Sequence, residues 1–460
     1  MVRTFDAIIV GAGQAGPALA NRLTGAGKSV AIIERHLVGG TCVNTGCKPT
    51  KTLVASAYAA RIAQRGAEYG VGVGAVTIDM PTIAARARKV ILDSRKGNET
   101  WLGGMPGLEL IRGHARFTGP RRLEVNGETI EAAQVFLNVG GRARVPDFPG
   151  VDEVDYLTNS TIIPLESVPE HLVVVGGSYI GLEFAQMYRR FGAKVTVVEQ
   201  GPRLVQREDE DVSAEIRAFL EEEGIEVRTG ACCITLAKHA DGVAVGVDCT
   251  EGAPVVTGSH VLLAVGRVPN TDDLGLDRAG VQVDEHGYIV VDDHLATTAD
   301  GVWAMGDCNG KGAFTHTAWN DYEIVAANLL DGDERKVSDR ILGYALYVDP
   351  PLGRVGMTET QARASGRPLL VSKRPMTRVG RAVEKGETHG FMKIVADAET
   401  KRILGAAILG TGGDEAIHGI LDMMNADAAI GTLQWAVPIH PTVSELIPTV
   451  IGDLRPPASP

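Results

Sequence analysis

The sequence of 460 residues predicts an α/β fold, with two Rossmann-like dinucleotide-binding units and an α+β unit at the carboxyl end. Three observations carry this prediction. An apolar strand runs into a glycine-rich turn and a helix at residues 7–25, and the same pattern returns at residues 173–191. Each copy continues to a second apolar strand that ends in glutamate, the pattern of a βαβ unit that cradles a pyrophosphate. From about Ile341 the chain changes to short strand-like runs around short helical ones. The length suits about three domains. Their expected boundaries fall near residues 160, 271 and 340. Recurrence of the fingerprint implies two dinucleotides rather than one.

Composition narrows the functional classes. The chain is 44% hydrophobic and 22% charged, with a net charge of −12. That balance argues against nucleic acid or an anionic membrane surface as the main partner. The core strand Ala7-Ile8-Ile9-Val10 follows Met1 too closely for a signal peptide. No apolar run reaches membrane-spanning length. Six cysteines in so long a chain do not make a disulfide scaffold. The expectation is a cytoplasmic protein with no resident metal.

In the first copy, the strand enters Gly11-Ala12-Gly13-Gln14-Ala15-Gly16. Gly11, Gly13 and Gly16 permit the tight turn and the approach of a pyrophosphate to the helix amino end. Pro17 fits the first helical turn, where a missing N–H costs nothing. The strand at 30–33 ends at Glu34, placed to hydrogen-bond a ribose.

Residues 39–51 read Gly-Gly-Thr-Cys-Val-Asn-Thr-Gly-Cys-Lys-Pro-Thr-Lys. Cys42 and Cys47 are expected to form a redox-active disulfide. In an ideal helix, residues five apart rise about 7.5 Å. That exceeds the roughly 7 Å between α-carbons that a disulfide tolerates. The bridge therefore needs a distorted helix start, which Gly46 and Pro49 supply. A strained, partly exposed bridge is readily reduced. The helix amino end favours a thiolate.

Helical patterns follow at 51–69 and 80–102, then short strand-like runs at 108–111 and 123–125 and a buried-looking strand at 136–141. Pro146, Pro149 and Gly150 mark a boundary. In the second copy, Val173-Val174-Val175 enters Gly176-Gly177-Ser178-Tyr179-Ile180-Gly181. A helix at 182–191 and a strand at 195–198 lead to Glu199. Ser178 takes the place of the second glycine and is small enough for close phosphate approach. Glu199 would accept the ribose 2′-hydroxyl of NADH and repel the 2′-phosphate of NADPH, so NADH is favoured. Arg203 and Arg207 read as solvated surface charges.

Cys232 and Cys233 are adjacent, and such thiols can bind soft metals. In a strand, however, neighbours point to opposite faces, and cysteine is commonly buried. The pair, and Cys249, therefore read as packed strand thiols, and Cys308 as pocket-wall packing. The run 261–265 followed by Gly266-Arg267-Val268-Pro269-Asn270 closes the second unit. Thr298-Ala299-Asp300-Gly301-Val302-Trp303-Ala304-Met305-Gly306-Asp307 precedes a helix expected from about 315 to 330, with His316 at its amino end. Strand-like runs at 353–356, 392–395 and 403–409 and helices near 358–365 and 414–425 make up the last unit. It ends on Ile439-His440-Pro441-Thr442-Val443-Ser444-Glu445. A histidine with a carboxylate partner can shuttle protons near neutral pH.

The stretch 39–51 closely resembles the active-site signature of the class I pyridine nucleotide-disulfide oxidoreductases. These include dihydrolipoamide dehydrogenase, glutathione reductase and mercuric reductase. The two fingerprints, the segment ending at Asp307 and the segment around His440 extend the resemblance over nearly the whole chain. It implies an FAD-dependent NAD(P)H oxidoreductase that passes electrons to a disulfide, a metal ion or another small oxidant. Cys42 would be the interchange thiol, and Cys47 the thiolate facing the flavin. Gly40, Thr41 and the Lys51–Glu183 pair would lie beside the flavin. Asp307 would accept a hydrogen bond from its ribityl chain, and His316 would touch it. Tyr179 would cover the nicotinamide pocket, and Gly266 would belong to the return crossing between the units, so that 1–160 and 272–340 would form one discontinuous FAD-binding domain, with 161–271 binding NAD(P)H and 341–460 at the interface. The last unit would be an interface domain. His440, held by Glu445 and preceding a cis bond to Pro441, would reach the disulfide of the other subunit, so the site requires a homodimer. Lys48 departs from the pattern, which usually has an apolar residue there; its charge is expected to stabilise the neighbouring thiolate. The wording is nearest to mercuric-reductase-like members. Yet no amino-terminal metal-binding domain is present, and residues 453–460 hold no cysteine. Pro438 stands where dihydrolipoamide dehydrogenase usually has a second histidine. The alternatives are a dihydrolipoamide dehydrogenase subunit of a 2-oxoacid dehydrogenase complex, a true mercuric reductase, and a redox sensor.

Overall fold

The computed structural model describes residues 2–248 and 252–457. The first sheet runs in the order Leu108–Arg112, Val30–Glu34, Val2–Val10, Glu128–Leu137, Arg122–Val125, Ala115–Gly119. Its first four strands are parallel. The late strand Val302–Ala304 pairs in parallel with the end of Glu128–Leu137. This addition makes the unit discontinuous in sequence. It also aligns Val10, Leu137 and Ala304 across three neighbouring strands, so the loops that follow them converge. Ligands of such sheets bind at the carboxyl ends of the strands.

The second unit has a parallel sheet in the order Glu226–Arg228, Lys194–Val198, His171–Val175, His260–Leu263. An antiparallel sheet of Cys232–His239, Gly242–Asp248 and Val255–Gly258 accompanies it. Arg267–Pro269 pairs with Gly141–Ala143, where the chain crosses between the two units. The last unit is an antiparallel sheet in the order Gly343–Leu346, Leu352–Gly356, Ile403–Leu409, Phe391–Asp397, Leu369–Pro375. Two of its three interior strands, Phe391–Asp397 and Ile403–Leu409, are buried at every position.

One apolar cluster joins all three units. It includes Leu53 and Ala57, then Leu182, Phe184 and Tyr188, and finally Leu346, Phe391 and Leu409. No helix among the described residues is long and apolar enough to cross a membrane.

Several elements differ from expectation. The strand expected at 136–141 is the end of Glu128–Leu137, whose earlier half carries the partly or fully exposed Glu128, Thr129, Glu131 and Gln134. The strands Ala115–Gly119, Gly343–Leu346 and Leu369–Pro375 were not expected. Cys232 and Cys233 are a correction: both are exposed, not packed. Cys233 has φ +50°, and the register of its strand shifts between Cys232 and Thr235. Such a bulge breaks the alternation on which the packed reading relied. Cys308 is buried, and Cys249 lies outside the described residues.

Candidate active site

The cysteine stretch forms two helices, Gly40–Asn44 and Cys47–Gln64. The break falls at Thr45 and Gly46, both at extended φ, −144° and −136°. It places Cys47 at a helix amino end. Side chains from elsewhere hold the break. Asn159 donates to the Thr45 carbonyl at 2.8 Å, and Asn44 donates to the carbonyls of Gly40 and Val38. Arg95 donates in turn to Asn44 at 2.9 Å.

Cys42 and Cys47 are both free thiols. The pair is polarised. Cys47 falls to about 6 through a hydrogen bond from Cys42, against the effect of burial, with help from the Thr315 hydroxyl at 3.2 Å and the Lys51 charge. Cys42 is pushed up by its bond to Cys47 and by burial. The proton of the pair therefore stays on Cys42.

Lys51 Nζ is 2.7 Å and 2.9 Å from the two oxygens of Glu183, which is 5% exposed. The same ammonium lies 4.5 Å from the centre of the Tyr347 ring. Lys51 is the lysine whose charge favours the Cys47 thiolate, whereas the charge of Lys48 acts on Cys42. The Lys48 ammonium bonds Ser94 at 3.0 Å on the neighbouring helix Met80–Gly103. The physical reason is helical rotation: Lys51, four residues after Cys47, shares its face, whereas Lys48 lies about 100° away.

The two fingerprints have matching geometry. Gly11 has φ +105°, and a Cβ there would sit 2.2 Å from the Asn138 carbonyl. Gly176 has φ +118°, and its Cβ would sit 2.4 Å from the Ala264 carbonyl. Only glycine fits either turn. Glu34 accepts from the N–H of Ala12 at 2.9 Å and of His36 at 2.8 Å. Glu199 accepts from Gly177 at 2.6 Å and Gly201 at 2.7 Å. Each acid thus braces its own glycine turn. A carboxylate has further lone pairs, so a ribose hydroxyl can still bind. Neither helix that follows has a side-chain cap, at Gln14 or at Ser178, leaving both amino ends open to an anion. Arg207 is exposed and Arg203 half-buried, with Arg203 bonded to the carbonyls of Gln206 and Glu208.

Asn138, Arg267 and Thr315 were missed by sequence reasoning. Asn138 accepts from Gly16 N–H at 3.1 Å and donates to the Met305 carbonyl at 3.0 Å, tying the first fingerprint to the Asp307 segment. Its one signal was a polar residue at the end of an apolar strand. Arg267, beside Gly266, reaches the Thr41 hydroxyl at 3.3 Å, the Gly141 carbonyl, and Asp307 at 3.7 Å. Burial pushes the Asp307 carboxyl up, and Arg267 opposes it. Thr315 opens the helix Thr315–Ala326 and is the residue of that turn that meets Cys47. His316 instead donates to the Gly343 carbonyl at 2.7 Å and stacks on Phe314.

Tyr179 stands edge-on to Phe314 and Tyr344, at ring separations of 6.4 Å and 5.6 Å. The Tyr344 hydroxyl donates to Glu208 at 2.6 Å, and Arg354 donates to the same carboxylate at 3.0 Å. At the far end of the chain, His440 Nδ1 is 2.8 Å from Glu445, and the bond to Pro441 is cis. His440 is exposed, on a loop with Trp435, Val437 and Ile439, which are 81%, 96% and 79% exposed. Among the described residues, His440 makes no hydrogen bond or ion pair to Cys42 or Cys47 within the chain.

Residues 5–321 match the family described as pyridine nucleotide-disulphide oxidoreductase, and residues 343–451 match its dimerisation domain. The chain belongs to this family. It is 36% identical over 449 residues to the probable pyridine nucleotide-disulfide oxidoreductase RclA of Escherichia coli (strain K12), covering 96% of this chain and 97% of that one. It is 32% identical to the mercuric reductase of Bacillus cereus, covering 96% of this chain and 70% of the relative. Among solved structures, the Cu(II) complex of the HOCl-induced flavoprotein disulfide reductase RclA from Escherichia coli superposes with a TM-score of 0.89 at 34% identity, covering 98% and 99% of the two chains. Membership of the pyridine nucleotide-disulphide oxidoreductases makes this chain an FAD-dependent oxidoreductase that uses a pyridine nucleotide and acts on a disulfide or metal acceptor.

Proposed function

We propose that this oxidoreductase delivers electrons from NADH through the Cys42–Cys47 pair, and that Cys42 is the thiol that meets the acceptor. The setting of Cys47 carries this reading: it opens a helix, with the Thr315 hydroxyl at 3.2 Å and the Lys51 charge favouring its thiolate over that of Cys42. FAD fits the converging loops of the first sheet, where the open helix end after Gln14 lies beside Glu34 and Gly40 and is tied through Asn138 to the segment that carries Asp307. Gly11, Gly13, Gly16 and Glu34 would hold its adenosine diphosphate part. Thr41, Lys51, Asp307 and His316 would stand around the flavin. Bound there, it would take a hydride equivalent from the coenzyme and supply an electron pair to the disulfide.

The chain's own residues do the rest. Gly176, Ser178, Gly181 and Glu199 bind the coenzyme, with Gly266 at the crossing back to the first unit. The Glu199 carboxylate disfavours a 2′-phosphate, so NADH is preferred to NADPH. Tyr179 covers the nicotinamide pocket. Glu183 holds the Lys51 ammonium where it supports the Cys47 thiolate. The Cys42 proton must leave when Cys42 attacks an oxidised acceptor. His440, oriented by Glu445, is the base that takes it, across the interface from a second copy. The exposed apolar loop around His440 suits such an interface. Domain limits of 1–160 with 272–340, 161–271 and 341–460 fit these roles. A thiol pair that cycles in this way suits the reducing cytoplasm.

The test is anaerobic oxidation of NADH and NADPH against lipoamide, glutathione disulfide, a quinone, and cupric and mercuric ions, in wild type and Cys42→Ser. Turnover of one acceptor that is lost in Cys42→Ser is expected. Equal turnover by both proteins with every acceptor would overturn the role of Cys42.

A further inference from the structure

We propose that Cys232 and Cys233 form a second thiol site, on the surface of the coenzyme-binding unit, that binds one thiophilic ion through both sulfurs. Four observations converge on it. The two cysteines are adjacent in sequence and both are exposed. The register of their strand breaks between Cys232 and Thr235, where Cys233 takes φ +50°. A regular strand would send the two thiols to opposite faces. The bulge opposes two residues to one and re-aims the side chain, so both reach solvent while Ile234 turns into the core. A left-handed conformation is uncommon for a residue other than glycine, and such positions concentrate at ligand sites.

The donor set defines the ligand. Among the described residues, no group of three or more His, Cys, Asp or Glu side chains could hold a metal. A tetrahedral or octahedral ion therefore has no cage here. Two thiolates suit a soft ion of low coordination number, such as Cu(I), or a trivalent arsenical. Binding releases the two thiol protons: two thiols and Cu(I) give a dithiolate complex and two protons. With phenylarsine oxide, the two thiols form two arsenic–sulfur bonds, and the oxide oxygen leaves as water. The site is separate from Cys42 and Cys47, which lie on the helices of the first unit. It does adjoin the proposed coenzyme pocket. Ala231, the residue before Cys232, donates its N–H to the Glu199 carbonyl at 3.0 Å.

The test uses the full chain with Cys42→Ser and Cys47→Ser, so that the active-site pair cannot respond. Phenylarsine oxide is added, excess monothiol is used as a wash, and the intact mass is measured. One retained adduct per chain is expected. The adduct should be lost when Cys232→Ser is added and, separately, when Cys233→Ser is added. Both residues are exposed, so these changes should leave the melting temperature unaltered. Retention of the adduct by either single variant, or its absence from the starting protein, would overturn the proposal. The outcome does not depend on turnover, so it is independent of the role given to Cys42.

Discussion

The hydrogen bond from Cys42 should control the ionisation of Cys47. Cys47 titrates at about 6, against an ordinary thiol value of 9.0. At pH 7, a midpoint near 6 gives about ten thiolates per thiol, whereas an ordinary cysteine gives about one per hundred. The difference in thiolate-to-thiol ratio is therefore about a thousandfold. Burial works against this lowering, and the Cys42 bond is the largest favourable cause, ahead of Thr315 and Lys51. Cys42→Ala should carry the midpoint above neutrality and leave most Cys47 protonated at pH 7. Thr315→Val should move it in the same direction by less. The measurement is the rate of iodoacetamide alkylation of the reduced protein against pH, read from the mass of the Cys47 peptide. In wild type, the rate should fall as pH drops through about 6. A Cys42→Ala midpoint still near 6 would refute the reasoning.

Four further outcomes follow from the geometry. Lys51→Met should shift the Cys47 titration upward, whereas Lys48→Val, whose ammonium is on Ser94, should leave it nearly unchanged in the same assay. Arg354→Leu removes the cation from a fully buried partner, Glu208, and should destabilise the fold by about 3–5 kcal/mol, read as a lowered urea midpoint. Asp209 feels burial first, but the N–H of Thr360 and the Lys393 charge hold it down at about 2. Its contribution is therefore complete above the unfolded value of 3.8 and is lost as pH falls towards 2, so Asp209→Asn should flatten the acid limb of a stability–pH curve. Trp435→Asp should weaken self-association at least roughly thirtyfold by sedimentation, if that loop is a central contact of the dimer.

Much of the fold was legible because its signals are local. The two glycine fingerprints, the terminal acids Glu34 and Glu199, and the break at Gly46 all follow from spacing along the chain. What escaped depends on contacts across it. Asn138 and Arg267 become site residues only when strand Val302–Ala304 joins the first sheet. Thr315 meets Cys47 across 268 positions, and no periodicity announces that. That Lys51 acts on Cys47 and Lys48 on Cys42 follows from helical rotation, which nearness in sequence alone does not show. Cys232 and Cys233 misled because a strand pattern does not reveal a bulge. Edge strands such as Leu369–Pro375 hid because their alternation is interrupted by charge.

The apolar cluster that runs from Leu53 through Phe184 to Leu409 has a bearing on how the protein can be taken apart. Domains linked by polar surfaces can be cut out and studied singly. Here the coenzyme-binding unit shares its interior with the cysteine helix and with the last sheet. An excised 161–271 fragment would lose that shared interior, and the buried Glu183 and Gln186 would lose Lys51 and Asp349 as partners. Such a fragment should aggregate rather than bind coenzyme. The intact chain should melt in one calorimetric transition, and swapping this unit between relatives should succeed only when the facing residues of the other two are carried with it.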